Sequence, residues 1–342
     1  MKVLLLAGGD SGEREVSLDS GAAVYESLKR LGFTVYAIDP ASGKSLLTSD
    51  GKFLTGRSTA GATAAAPVQR GAMALAKTLV TPAFDDIEVV FLALHGGTGE
   101  NGSIQNLLEL AGMPFTGSDM TASTVAMHKD MSKRLFQSEG IKTPKWKTYR
   151  IKDGGVSADI ITEINSFFDF PVIVKPNDSG STLGLTRVEK SEQLTAAFEK
   201  SLKESKIVLV EEYIAGRELT VPVLDNRIFP VIEIIPESGL YDYEAKYTKG
   251  RSEYIVPAKI SEKITNQIKK TAKEVYDILG AAGLARIDFL MDEKEGYYCL
   301  ELNTLPGMTE LSLAPMAAKA DGIQFDELIT MLIDSALVHH PK

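Results

Sequence analysis

Lys175 stands between a β-branched run, Val172-Ile173-Val174, and a loop of small residues, Asp178-Ser179-Gly180-Ser181-Thr182-Leu183-Gly184. Glycine and serine let backbone N–H groups come close to an anion, and the lysine adds a fixed positive charge. That combination suits phosphate binding. The loop leads into another strand, Leu185-Thr186-Arg187-Val188. It therefore reads as a hairpin closing over phosphates, not as a Walker loop, which needs a helix start behind it.

A second constellation lies further along. Arg286-Ile287-Asp288 and Glu301-Leu302-Asn303 each place two polar residues at i and i+2, on one face of a strand. Asp292-Glu293-Lys294-Glu295-Gly296 reads as the hairpin turn between them. A register that sets Asp288 opposite Glu301 gathers two carboxylates and an amide oxygen, hard donors of the kind Mg²⁺ takes while holding phosphates. Taken alone, a solvated strand face with a cross-strand ion pair explains them equally well. The turn that follows, Asn303-Thr304-Leu305-Pro306-Gly307-Met308, favours a site, because its backbone N–H groups would face a developing oxyanion.

Other signals are weaker. Glu211-Glu212-Tyr213-Ile214 and Glu218 follow a buried strand, whose backbone would meet an adenine edge while Glu218 holds ribose; alone, this is an ordinary acidic turn. Gly97-Thr98-Gly99-Glu100-Asn101-Gly102 matches the dinucleotide pattern, but it lies mid-domain with Asp119 poorly placed for a ribose, so it reads as a substrate-facing turn. Gly43-Lys44-Ser45 is no Walker loop, because Ile38 stands where the first glycine is needed. The aromatic, charged segment 241–247 suits a lid or an exposed loop. The histidines suggest no metal site: His339 and His340 sit in a polar tail and His128 reads as a surface residue, while Trp146 reads as packing.

The elements that must hold these groups fill 342 residues, enough for two or three domains. Hydrophobic content of 44% and charged content of 24% are ordinary for a globular chain. A net charge of −9 argues against a general nucleic-acid binder. The opening apolar run is too short for a signal peptide, and no later one is long enough to span a bilayer. Cys299 is the only cysteine, which excludes an intrachain disulfide and fits a reducing, cytoplasmic setting.

A strand at 3–7, a helix from about Ser17 carrying Val24, Leu28 and Leu31 and stopped by Gly32, and a strand at 33–38 form a βαβ unit. Residues 46–54 predict a small hairpin around Asp50-Gly51, and 55–66 a surface loop. A buried strand at 89–94 precedes His95 and a helix at 103–111; a strand at 207–210 opens a last region with a helix at 261–280. The fold class is mixed α/β, divided as 1–117, 118–206 and 207–342.

In order, these segments resemble the D-alanine–D-alanine ligase family of the ATP-grasp superfamily. The resemblance rests on Gly8-Gly9 with Glu13-Arg14-Glu15-Val16-Ser17, Leu94-His95-Gly96 and Glu100-Asn101-Gly102, then Val174-Lys175-Pro176, the 241–247 segment, Arg286-Ile287-Asp288 and 303–309. It runs nearly end to end. It implies a three-domain ATP-grasp architecture with an N-terminal Rossmann-like α/β domain and ATP between two antiparallel sheets. Lys129, Lys175 and Lys246 would contact phosphates; Glu211, Glu212 and Ile214 the adenine; Glu218 the ribose; Ile173 and Leu290 would sandwich the base. Asp288, Glu301 and Asn303 would hold two Mg²⁺ ions, with Mn²⁺ as a substitute. Glu13 would bind the ammonium of the first D-alanine, linked to Ser181 and Tyr247, with His95 nearby. Arg286 and the Gly307 backbone would stabilise the tetrahedral intermediate, and Ser312 and Leu313 would receive the second amino acid.

The implied activity is ATP-dependent ligation of two D-alanines through an acyl phosphate, for peptidoglycan, by a homodimer with no nucleic-acid or membrane partner. Related enzymes with D-lactate or D-serine as acceptor are the near alternative, and Tyr247 favours an amino acid. A non-catalytic nucleotide-binding regulator is the distant one, and it would not need the whole catalytic set. The chain departs from the commonest pattern in the glycine-rich turn His95-Gly96-Gly97-Thr98-Gly99, at Glu212 where a lysine is frequent, and in the long 41–86 segment.

Overall fold

The fold is that of a computed structural model, which describes residues 1–54, 75–77, 79, 84, 86–151, 155–180, 182–237 and 250–340. Ser181, the predicted loop at 55–66 and the predicted lid with Lys246 and Tyr247 lie outside these residues.

The first sheet is built from β1 (Lys2–Leu6), β2 (Thr34–Asp39), β3 (Lys44–Ser45) and β4 (Val89–Leu92), in the order β3-β2-β1-β4. Strand β1 runs parallel to β2 and β4, with helix Arg14–Arg30 as the first crossover. A central parallel strand is covered on both faces, so Val3, Leu4, Leu5 and Leu6 are all fully buried. Alternate residues serve two cores. Val3 and Leu5 pack with Val24 and Leu28, whereas Leu4 and Leu6 pack with Ile104, Leu108 and Phe115. The hairpin predicted at 46–54 is present, with Leu47 bridged to Phe53.

The second sheet contains β5 (Trp146–Arg150), β6 (Val172–Pro176), β7 (Thr186–Val188) and β8 (Ile207–Glu212), in the order β5-β8-β6-β7. Strands β6 and β7 are antiparallel, so the Lys175 loop joins strand to strand as its sequence predicts. Strand β8 begins at 207, where the composition suggests a third unit, yet it is hydrogen bonded between β5 and β6.

The third sheet comprises β9 (Arg217–Leu224), β10 (Arg227–Ile228), β11 (Ile232–Pro236), β12 (Ser252–Ile255), β13 (Leu284–Met291) and β14 (Tyr297–Asn303). Helix Glu262–Ile278, close to the predicted 261–280, buries Ile264, Ile268 and Val275 against Val221, Ile287 and Phe289. Because Ile287 and Phe289 face that helix, Arg286, Asp288 and Leu290 face the other way.

Helices Leu313–Ala320 and Phe325–His339 return to the first sheet, where Leu328, Ile329 and Leu332 join the core of Val3 and Leu5. Asp326 accepts from Ser27 Oγ at 2.6 Å and pairs with Arg30. The polar tail expected at His339 and His340 is instead bonded to the fold. His340 stacks on Phe115 and its Nε2 lies 3.0 Å from the Gly117 carbonyl, while His339 meets Asp225 at 3.0 Å. Among the described residues no helix is long and apolar enough to cross a membrane.

Candidate active site

A cleft opens between the second and third sheets. One wall carries Ile173, Lys175, Glu212, Tyr213 and Ile214, the other Glu218, Asp288, Leu290 and Glu301, and Lys129 stands at one end. Ile173 and Leu290 give the two walls apolar surface suited to a flat base, with cations and carboxylates beside it. Lys129 Nζ lies 3.1 Å from Glu301 Oε2 and donates to the Ser179 carbonyl at 2.9 Å. The loop after β6 is tied to the start of helix Lys129–Ser138, since Asn177 accepts from the backbone N–H groups of Lys129 and Asp130. His128 caps this helix, with Nδ1 facing Met131 N–H, so it is more than a surface residue.

Glu211 is placed by the sequence at the adenine, but its carboxylate is committed elsewhere. Lys175 Nζ approaches one oxygen at 2.5 Å and Lys133 Nζ the other at 2.9 Å. What Glu211 can offer a base is therefore its backbone. Lys133 is wholly buried and donates to Thr143 Oγ1 at 2.7 Å and to the Pro144 carbonyl at 3.2 Å. Its ammonium also lies 5.4 Å from the Trp146 ring centre, and the indole N–H donates to Asp130 at 2.8 Å, so Trp146 does more than pack. Burial raises the Glu211 pKa, but the two ammonium groups outweigh it and hold the carboxyl below its ordinary value. Burial pushes Lys133 down, against the attraction of Glu211. Lys133 went unread in the sequence, though Lys129, Lys133 and Phe136 fall at i, i+4 and i+7, the spacing of a buried helical stripe.

On the third sheet Asp288 faces Glu301 and Arg286 faces Asn303, the register the spacing predicts. Arg286 clasps Asp288 through two hydrogen bonds of 2.9 and 2.8 Å. Thr220 Oγ1 donates to Asp288 at 2.6 Å and Asn303 Nδ2 at 3.0 Å. Thr220 was not singled out from sequence; it faces Asp288 from β9, and only pairing reveals it. Among the described residues no three His, Cys, Asp or Glu side chains gather as a metal cluster. The local donors are two carboxylates and an amide, all hard oxygens, and this set fits Mg²⁺ in the company of phosphate oxygens.

Glu13 follows the Gly8-Gly9 turn, which is braced by Arg14: its guanidinium donates to the Gly9 carbonyl at 2.8 Å and to Asp39 at 2.9 Å. The Glu13 carboxylate is buried between two glycines of distant segments. A Cβ on Gly96 would lie 2.6 Å from Glu13 Oε2, and one on Gly180 would lie 2.7 Å away. The segment after β4 and the phosphate loop thus meet at Glu13.

His95 is buried with both ring nitrogens engaged, Nδ1 at 2.9 Å from the Leu305 carbonyl and Nε2 at 2.9 Å from Ser20 Oγ. Burial lowers its pKa, so the ring is neutral and the carbonyl partner places the proton on Nδ1. Glu100 is also buried, and desolvation, with Glu13 nearby, pushes its carboxyl up to about 7. Ser312 is half-buried beside Gly307 and 2.8 Å from Thr309 Oγ1. Leu313 packs its side chain into the core, so of the two residues it is Ser312 that borders the turn.

Two family models cover most of the chain: "D-ala D-ala ligase N-terminus" matches residues 2–118 and "D-ala D-ala ligase C-terminus" matches residues 135–334. A D-alanine–D-alanine ligase of Syntrophotalea carbinolica is 39% identical over 335 residues, 98% of this chain and 96% of its own. One of Aquifex aeolicus is 40% identical over 334 residues, 97% of this chain and 100% of its own. Among solved structures, the D-alanine–D-alanine ligase of Bacillus anthracis complexed with ATP superposes with a TM-score of 0.76 at 26% identity, over 99% of this chain and 98% of its own. The VanG D-Ala:D-Ser ligase of Enterococcus faecalis gives a TM-score of 0.76 at 28% identity, over 98% and 99% of the two chains. Full-length identity near two-fifths, joined to a cleft with this set of charges, places the chain in the D-alanine–D-alanine ligase family.

Proposed function

We propose that this protein joins two D-alanines to D-alanyl-D-alanine at the expense of ATP. The observation that carries the proposal is the meeting of three sites around one cleft: Lys129 and Lys175 for phosphates, Asp288 and Glu301 for cations, and Glu13 for an ammonium. A carboxylate is a poor electrophile, so the first D-alanine attacks the γ-phosphorus, ADP leaves and an acyl phosphate forms. The amine of the second D-alanine attacks the acyl carbon, Arg286 and the Gly307 N–H face the oxyanion, and inorganic phosphate departs with loss of a proton from the amine. Asp288, Glu301 and Asn303 would hold Mg²⁺, which when bound spreads the charge of the transferring phosphoryl group. Ile173 and Leu290 hold the base, the backbone of Glu211, Glu212 and Ile214 its edge, and Glu218 the ribose. Lys246, Ser181 and Tyr247 are assigned to the lid and first substrate by family resemblance.

We divide the chain at 117 and, to keep β8 with its sheet, just after Glu212. Peptidoglycan synthesis in the cytoplasm by a homodimer completes the reading. Phosphate release and dipeptide formation should both require ATP, Mg²⁺ and D-alanine, and chelation should stop them. D-serine, D-lactate and L-alanine offered beside D-alanine test the acceptor. Faster formation of a mixed product than of D-alanyl-D-alanine would reassign the second substrate, and nucleotide binding without any ligation would reject the enzyme.

A further inference from the structure

The 303–309 turn is held from outside its own sheet by a closed circuit of hydrogen bonds from the N-terminal unit. Leu305 N–H points to Glu100 Oε1 at 3.4 Å, while Gly96 N–H donates to the other Glu100 oxygen at 3.0 Å. The Leu305 carbonyl accepts from His95 Nδ1 at 2.9 Å. With that proton placed, His95 Nε2 must accept from Ser20 Oγ–H at 2.9 Å, and Ser20 Oγ in turn accepts from Met308 N–H at 3.2 Å. Both backbone groups of Leu305 and the N–H of Met308 are thereby fixed on the two sides of Gly307.

We propose that Glu100, together with His95 and Ser20, forms a positioning circuit that aims the Gly307 N–H at the oxyanion of the ligation step. None of these three side chains needs to touch substrate for this. The inference rests on the ligase reading. It assigns a task to Glu100, a carboxylate buried where a neutral side chain would be far easier to accommodate. It also explains why His95 spends both nitrogens on protein partners.

The consequence is specific to one step. Phosphoryl transfer occurs in the cleft between the sheets, whereas amine attack needs the oxyanion donor in register. A turn that is slightly displaced leaves acyl phosphate exposed to water, which returns D-alanine and inorganic phosphate without dipeptide. Glu100→Gln keeps the shape but turns one acceptor oxygen into a donor that cannot pair with an N–H. Ser20→Ala removes the hydroxyl that links His95 to Met308.

The test measures phosphate and dipeptide together in the full-length enzyme with ATP, Mg²⁺ and D-alanine. In both variants dipeptide kcat should fall about ten-fold. KM for ATP should stay within about two-fold, and phosphate released per dipeptide should rise above the wild-type ratio. A change that merely loosened the fold would lower both products in proportion. Should Glu100→Gln fail to fold, Ser20→Ala carries the test, being a small deletion on a helix. Wild-type coupling in every variant that folds overturns the proposal. Failure of the ligase reading is distinguishable, because the wild-type enzyme would then make no dipeptide at all.

Discussion

Lys133 brings a charge into the interior where no solvent reaches it, and its partners explain why it is tolerated. Glu211 is shared between Lys133 and Lys175, so one buried anion fixes two cations, of which only Lys175 faces the cleft. Lys133→Met keeps the length of the side chain but leaves Glu211 with one counter-ion. Breaking a buried pair in this way costs about 3–5 kcal/mol. Lys175 is then drawn more tightly to Glu211, so ATP affinity should fall as well. Urea denaturation and ATP titration check both effects, and normal values of both would show that the ion triad does not hold the phosphate lysine. Glu100 makes a different prediction, in pH. Its carboxyl holds a proton up to about 7 in the fold, against an ordinary value of 4.5. A raised pKa means tighter proton binding when folded, so this contribution is fully present below 4.5 and is lost as pH rises through about 7. The melting temperature of Glu100→Gln, relative to wild type, should therefore climb between pH 5 and pH 8 in calorimetry, roughly the window in which a carboxyl near 7 loses its proton. A constant difference would contradict it.

At the scale of elements, glycine is what lets separate segments converge on Glu13. Gly96 has φ of 61°, a left-handed conformation, and any Cβ there would run into the carboxylate. Gly96→Ala should strain the turn and displace Glu13, weakening the first D-alanine by roughly 1–3 kcal/mol, the scale of a charge-assisted hydrogen bond. ATP binding should hardly change. Separate titrations decide it, and an equal loss for both ligands would mean that the substitution acts on the whole fold. The elements also divide what the sequence discloses from what it hides. The β13–β14 register is readable because i and i+2 alternation and a short turn admit few pairings, and the β6–β7 hairpin because a small-residue loop lies between a β-branched run and a second apparent strand. Strand β8 pairs with β5 and β6 across the 206/207 boundary that composition suggests, because strand pairing across distant sequence leaves no local mark. Glu211 and Thr220 owe their roles to neighbours brought together by such pairing, and Lys133 to the packing of its helix against β8. His339 and His340 looked like tail because polarity was visible and Phe115 was not.

The whole molecule is closed on itself. Helix Phe325–His339 completes the core beneath β1, and Ile329 is fully buried there with Val3 and Leu5. Ile329→Ala should cost about 2–5 kcal/mol, as for other large-to-small core changes. Its effect should spread to β1, shown by faster amide exchange at Val3 and Leu5; protection there equal to wild type, with loss confined to the last helix, would show that the two parts are energetically separate. The same closure bears on biosynthesis. Ser27 and Asp326 touch across 299 positions of sequence. On a ribosome, β1 emerges long before the helix that covers it, at roughly 5–20 residues per second. For that interval the Val3 and Leu5 face of β1 has only helix Arg14–Arg30 over it, and the apolar surface left bare is one a chaperone would shield until the late helix arrives.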